Sequence, residues 1–322
     1  FKIMNNNPLV SILSPCYNVE KYLPKCLDTI IGQTYSNLQI VLIDDGSKDG
    51  TWEIMQEYAA KDSRIEVYHQ DNKGVATTRN NLLDKVKGDF VLFVDSDDWV
   101  ELTMVESLLG IQKQSDADIV VCDMVKNDYT SDLSDKSYIS YNKDQIVKAF
   151  LEHKWLNGSL CNKLVKTSLL HNERFRCGIS YGEDALFCWH LLQHVMSVVV
   201  CKLQLYHYRM NDASLSHQVW TPEKKGSGTV VWHTITSETQ KLYPQYVDIA
   251  RARWAIEDFW GLYYASLSNY PYDRHIKERQ INIKRNLRLI VKSNLVSKNK
   301  LFTALVLAYC YPLGRFLKYM RK

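Results

Sequence analysis

The sequence contains no GxGxxG, no GxxxxGK[ST], no HExxH and no GxSxG. Dinucleotide-binding dehydrogenases, P-loop enzymes, zincins and nucleophile-elbow hydrolases each depend on one of these spacings, so all four classes lose their support. CxxC pairs are missing too: the eight cysteines, at 16, 26, 122, 161, 177, 188, 201 and 310, are scattered, several among apolar residues. Thiols without clustered spacing argue against a zinc site. With no secretory leader before the first strand, they suggest reduced cysteines in a cytosolic protein. Low-complexity tracts are absent, and Phe1-Lys2-Ile3 ahead of Met4 is left out of the fold reasoning.

What is present is a globular composition, 46% hydrophobic and 24% charged over 322 residues, enough for one large domain or a domain with an appendage. The net charge of +4 hides an asymmetry. Residues 276–322 hold twelve Lys or Arg and one acid, Glu278, a surplus of eleven positive charges that leaves the rest of the chain at −7. Such a basic tail suits an anionic partner, a membrane surface or a nucleic acid.

Strands and helices alternate through the first hundred residues. Leu9 to Leu13, Gln39 to Ile43, Ile65 to Tyr68 and Phe90 to Val94 read as strands; Glu20 to Gln33, Thr51 to Ala60 and Gly74 to Val86 read as helices. That order predicts βαβ units, hence a Rossmann-like, mostly parallel α/β sheet flanked by helices. Ligands of such sheets bind beyond the carboxyl ends of the strands, where Pro15 to Glu20, Asp44 to Ser47 and Asp95 to Asp98 all fall. Farther on, Thr103 to Gln114 reads as a helix, Ala117 to Val125 as a strand, residues 127–142 as a polar loop and Gln145 to His153 as a helix. From about Ser227 the chain reads as helical, with a boundary near 220.

Asp95-Ser96-Asp97-Asp98 ends a buried strand with three carboxylates, which repel one another unless a cation neutralises them. Their hard oxygens suit Mg²⁺ or Mn²⁺, although a turn or helix cap also favours Asp. Asp44-Asp45-Gly46-Ser47 is a second acidic strand end, commoner as a turn when it stands alone. Arg79 follows the helix start at Asn72-Lys73-Gly74 and is either a diphosphate ligand or a solvated surface arginine. Glu183-Asp184, before the apolar run Ala185 to Leu192, either complements a helix dipole or supplies the general base an acceptor hydroxyl needs.

With these residues in view, the chain resembles the bacterial family 2 glycosyltransferases of GT-A fold. The resemblance lies in VSILSPCYNVEKYLPKCLDTIIGQTYSNLQIVLIDDGSKDGT, then DNKGVATTRN, then GDFVLFVDSDDW; it continues more weakly through Asn162-Lys163-Leu164, Tyr181 to Asp184 and Tyr206 to Ser216. It covers about two thirds of the chain and not the tail. It implies an inverting transfer from a nucleotide-diphosphate sugar, a UDP-sugar in the first place, with Mn²⁺ or Mg²⁺ as cofactor. The acceptor would be a hydroxyl of a glycan or lipid-linked chain in surface polysaccharide synthesis. By the same resemblance Pro15, Tyr17, Asn18 and Glu20 line the nucleotide pocket, and Asp45, with Gly46 beside it, bonds the base. Asn72, Lys73, Gly74 and Arg79 flank base and diphosphate. Asp95, with Ser96, contacts ribose or metal, Asp97 holds the metal, and Asp184 or else Glu183 is the base. Thr78 and Leu82 stand where the family has Ala and Gly, which affects helix packing. The family often places a His near Asn211; His207 and His217 are the substitutes in range, and neither is assigned to the metal.

The expected domains are a glycosyltransferase domain over 8–220 and a helical, basic region over 221–322. Within the latter, Lys284 to Val291 and Leu301 to Tyr319 mix basic and apolar residues. The run Leu301 to Leu313 is too short to span a bilayer and holds Pro312. An amphipathic helix on an anionic inner leaflet and a core-packing helix with a basic outer face both fit. The membrane reading places the protein at the inner face of the cell membrane, with no nucleic-acid partner. A nucleotidyltransferase would need a Gly-rich loop after the first strand, where Pro15-Cys16-Tyr17-Asn18 stands instead. A non-catalytic, degenerate membrane adaptor remains the alternative, at the cost of leaving two acidic strand ends unexplained.

Overall fold

The computed structural model describes residues 7–127, 129–210, 221–222 and 226–313. The chain divides into two compact units, one of Phe1–Ile146, Gly158–Cys177 and His190–Asn211, the other of Val147–Asn157, Gly178–Trp189 and Asp212–Lys322. The boundary expected near 220 lies among 211–220, outside the described residues.

In the first unit, β1 (Val10–Cys16), β2 (Leu38–Asp44), β3 (Ile65–His69) and β4 (Phe90–Phe93) lie parallel in the order β3-β2-β1-β4. Every residue of β2 and β4 is buried, as expected for parallel strands covered on both faces. Helices α1 (Leu23–Ile31), α2 (Thr51–Lys61) and α3 (Val75–Leu83) make the crossovers. α1 buries Leu23, Cys26, Leu27 and Ile30, one helical stripe.

The later elements are β5 (Trp99–Val100), α4 (Met104–Ser115), β6 (Ile119–Lys126), β7 (Tyr138–Asn142), α5 (Lys143–Glu152), β8 (Lys163–Lys166), α6 (Glu183–His194) and β9 (Ser197–Tyr208). Antiparallel β8 joins β4 to β6, β9 runs parallel to β6, and β5 and β7 are antiparallel to β9. Among the described residues, six of the nine strands thus share one direction, the mostly parallel sheet the sequence predicts. Ile12, Ile40, Leu92 and Val120 pack with Leu27, Ile30, Met104 and Leu108 in one apolar core. Residues 127–142 depart from the expected loop. Their last five form β7, whose backbone pairs with Ser197–Cys201 of β9 although its side chains are half-buried or exposed.

The second unit holds α7 (Ser227–Leu242), α8 (Val247–Leu267), α9 (Arg274–Ser293) and α10 (Lys298–Tyr309). Asp273 caps α9 by accepting from the Ile276 amide at 3.0 Å. The buried Ile276, Ile283 and Ile290 of α9 pack with Phe259 and Leu262 of α8 and Ala304 and Leu307 of α10. Among the described residues, the basic stretch up to Lys292 is therefore part of a folded helix with a covered apolar stripe. Among the described residues no helix is long and apolar enough to cross a membrane.

Candidate functional site

At the carboxyl end of β1 the chain turns through Asn18, whose φ of 51° is left-handed, a conformation Asn tolerates. This loop is latched to the one after β2. The Asn18 amide donates to Ser47 Oγ at 2.9 Å, Lys48 N–H donates to Asn18 Oδ1 at 2.8 Å, and Gly50 N–H donates to Glu20 Oε2 at 2.7 Å. Asn18 and Glu20 thus fix the rim of the strand ends, and Tyr17 stands out from it, 49% exposed. The Pro15 carbonyl accepts from Ser96 Oγ at 2.8 Å, which ties the β1 end to the β4 end.

Asp44 and Asp45 part company at the end of β2. Asp44 is fully buried and accepts from the Ser47 hydroxyl, with His69 Nδ1 at 2.7 Å. Asp45 turns toward the loop before α3: Oδ1 accepts from Lys73 N–H and Gln70 Nε2, both at 2.8 Å, and Oδ2 from Gly74 N–H at 2.9 Å. Gly46 has φ 73°, and a Cβ there would stand 2.8 Å from the Asn72 nitrogen, so the two loops meet where no side chain fits. Asn72, Lys73 and Gly74 are exposed and open α3. One and a half turns on, Arg79 pairs with Asp95 at 3.2 Å. The first turns of α3 therefore touch both acidic strand ends.

After β4 the three acids take different places. Asp95 and Asp97 are half-buried, whereas Asp98 is 1% exposed. Asp98 accepts from the Tyr206 hydroxyl at 2.6 Å and the Arg209 amide at 2.8 Å, while Arg209 Nε donates to the Asp97 carbonyl at 2.7 Å. Burial and the charge of Asp95 push the Asp97 carboxyl up to about 6; burial, Asp95 and Asp97 push Asp98 up to about 8. Asp97 has no side-chain hydrogen-bond partner among the described residues. Two crowded, half-exposed carboxylates with hard oxygens fit a divalent cation. The described residues hold no group of three or more His, Cys, Asp or Glu side chains placed for a metal.

Sequence reasoning counted Asp98 among the three acids without giving it a role of its own, and gave none to Tyr206 and Arg209, which hold the acidic turn through it. The Arg209 guanidinium also lies 4.6 Å from the Trp99 ring centre. The signal was the triplet itself, since three adjacent acids cannot all face one ion and the innermost needs donors from elsewhere. His207 is a packed histidine, 2.7 Å from Glu101 Oε1 and stacked on Trp99; Asn211 and His217 lie outside the described residues.

Glu183 and Asp184 belong to the second unit. They open α6 behind Gly182, whose φ is 87°, and Asp184 Oδ1 accepts from the Ala185 amide at 2.7 Å. Ser227 Oγ holds the preceding loop, accepting from Tyr181 N–H at 2.9 Å and donating to the Tyr181 carbonyl at 3.0 Å. Glu183 is buried and Asp184 half-buried. Burial first, then Glu257 and Asp184, raise the Tyr181 phenol above its ordinary value.

Residues 11–174 match the family model described as Glycosyl transferase family 2, half of the chain. Glycosyltransferase GlyA of Streptococcus pneumoniae is 36% identical over 223 residues, 66% of this chain and 32% of GlyA, so the chain spans about a third of that relative. A crystal structure of S. aureus TarS in complex with UDP-GlcNAc superposes with a TM-score of 0.71 at 20% identity, over 97% of this chain and 92% of that one. Mannosyltransferase PcManGT of Pyrobaculum calidifontis, in complex with GDP-Man and Mn²⁺, gives 0.52 at 15% identity, over 94% and 87% of the two chains. At these identities the two structures speak for the shared GT-A fold.

Proposed function

Because the chain belongs to glycosyltransferase family 2, we propose that it moves a hexosyl or N-acetylhexosaminyl group from a nucleotide-diphosphate donor to an acceptor hydroxyl, inverting the anomeric centre. The observation that carries this is the reach of α3: Asp45 fixes the Lys73 and Gly74 amides that lead into it, and Arg79 on it pairs with Asp95. A helix start between two acidic strand ends favours a ligand with a neutral base at one end and a diphosphate at the other. The UDP-GlcNAc of the TarS complex makes a UDP-sugar the first donor to try.

In this reading Pro15, Tyr17, Asn18, Glu20, Asp45 and Gly46 enclose the nucleoside. Asn72, Lys73, Gly74 and Arg79 meet the diphosphate, and Asp95 with Ser96 borders the ribose. Asp97 and Asp95 are the ligands of a divalent ion, Mn²⁺ or Mg²⁺, which when bound would offset charge on the leaving diphosphate. The acceptor oxygen attacks the anomeric carbon, the bond to the diphosphate breaks, and the hydroxyl proton passes to Asp184, with Glu183 second in line. The base is assigned through the family's motif order alone. A glycan or lipid-linked acceptor in surface polysaccharide synthesis agrees with this chemistry. So does a peripheral position at the inner membrane face, held by the exposed basic side of α9.

The test is a donor panel, UDP-, GDP- and dTDP-sugars with Mn²⁺, read as nucleotide release. Release from a UDP-sugar that chelation abolishes and Mn²⁺ restores supports the reading. No release from any donor, with and without candidate glycans, sinks it.

A further inference from the structure

Among the described residues of the second unit, Arg279 and Arg253 are both largely covered, and they differ in how their guanidinium nitrogens are satisfied. Arg279 Nη1 donates to Asp258 at 2.8 Å and Nη2 to the Gly226 carbonyl at 3.1 Å, while Asn282 fills the other oxygen of Asp258 at 2.7 Å. Arg253, two turns of α8 before Trp260, has a side chain 11% exposed and an Nε with no hydrogen-bond partner. Its nearest carboxylate oxygen, on Glu257, is 3.8 Å away, beyond hydrogen-bond reach. The Trp232 ring centre lies 4.8 Å from the guanidinium. A buried cation short of acceptors is costly, and a fold that carries one leaves room for an acceptor to arrive.

That room exists. A cavity of about 230 Å³ opens beside Arg253, walled by Trp260, Lys300, His153 and Glu152. Glu152 is paired with Lys154 at 2.7 Å, which leaves Lys300 and the loosely paired Arg253 as the cations on the cavity wall. Lys300 stands 5.1 Å over the Trp260 ring, which places a second ammonium at the mouth.

We propose that this cavity binds an oxyanion, the carboxylate or phosphate of an acidic sugar residue in the acceptor chain. Arg253 is its buried ligand and Lys300 its outer one. A glycan is favoured over a lipid headgroup because the cavity is larger than an oxyanion and has an indole wall for a sugar ring. The acceptor is favoured over the donor by what Arg253 leads to. A Cβ placed on Gly228 would stand 3.0 Å from Glu257 Oε1 and 3.1 Å from the Tyr181 ring, so Glu257 and Tyr181 border the same glycine. Arg253 and Glu257 thus lie near the loop that leads into Asp184. The word acceptor rests on the transferase reading; anion binding at Arg253 does not, and its measurement needs no donor.

Thermal unfolding of the full chain is followed at constant ionic strength with glucuronate, inorganic phosphate and glucose. Glucuronate should raise the Tm with a saturating concentration dependence, and glucose should not. Lys300→Ala and Arg253→Lys should each weaken glucuronate binding about tenfold, the worth of one charge-assisted contact. Lys300 is exposed at the rim, so its variant carries the test if Arg253→Lys does not fold. Equal effects of glucuronate and glucose, or variants that titrate like the parent, overturn the site. A response to phosphate without one to glucuronate overturns the glycan assignment in favour of a headgroup.

Discussion

Asp97 and Asp45 ask different things of the same functional group. Asp97 is pushed up by burial and by Asp95, so its charge is held at a cost that a cation would relieve. Asp97→Ala should therefore leave the Tm near that of the parent while cutting metal-dependent nucleotide release by about 10²-fold or more. Undiminished release would remove Asp97 from the metal. Asp45 is already committed to three donors. Asp45→Asn sets an amide N–H against one of them, so the Lys73–Gly74 loop should loosen and the donor KM rise by about tenfold, with kcat moved less. A fall in kcat at constant KM would mean that Asp45 acts on the reacting centre instead. Asp98 shows what residue-level reading missed. Its partners, Tyr206 and Arg209, lie more than a hundred positions away on and after β9, and no local pattern announces them.

At the scale of elements, burial decided what could be read. β1, β2 and β4 are almost wholly buried and read as mainly apolar stretches, unbroken in Ile40–Ile43 and Phe90–Phe93, and α1 carries its stripe at helical spacing. β5 is two residues long, β8 is Lys163–Lys166, and β7 shows mostly solvent-facing side chains; backbone pairing makes them strands, and pairing leaves no mark on composition. The same holds for Arg279, which counts in the sequence as one more positive charge of the tail. In the fold it is 4% exposed and pairs with Asp258, whose carboxyl burial pushes up to about 7. Arg279→Met strands that carboxylate between Asn282 and Thr229, at a cost of about 3 kcal/mol or more. Because the arginine that favours the charged form is gone, Asp258 should keep its proton to higher pH. The variant's deficit in Tm should then shrink as the pH is lowered through 7, where the protonated acid needs no partner. A deficit independent of pH would assign the loss to packing.

For the whole molecule the informative quantity is where the charge sits. Part of the positive charge of 276–322 lies on a folded helix: α9 buries Ile276, Ile283 and Ile290 and exposes Lys277, Lys284, Arg285, Arg288 and Lys292. The sequence left a membrane helix and a packed helix both open, and the packed stripe does not close the first possibility, since the basic face is still turned to solvent. A surface of this kind should bind anionic bilayers through charge with little insertion, so that affinity falls steeply with salt. Phe302 and Tyr309, 66% and 67% exposed, stand in the same basic segment and would add a salt-resistant part. Arg285→Gln with Arg288→Gln removes two charges without touching the covered stripe. It should lower partitioning onto vesicles rich in phosphatidylglycerol by about thirtyfold at low salt and leave the Tm unchanged. Sedimentation that is the same for parent and variant, or for anionic and neutral vesicles, would show that α9 carries its charges for something other than a membrane.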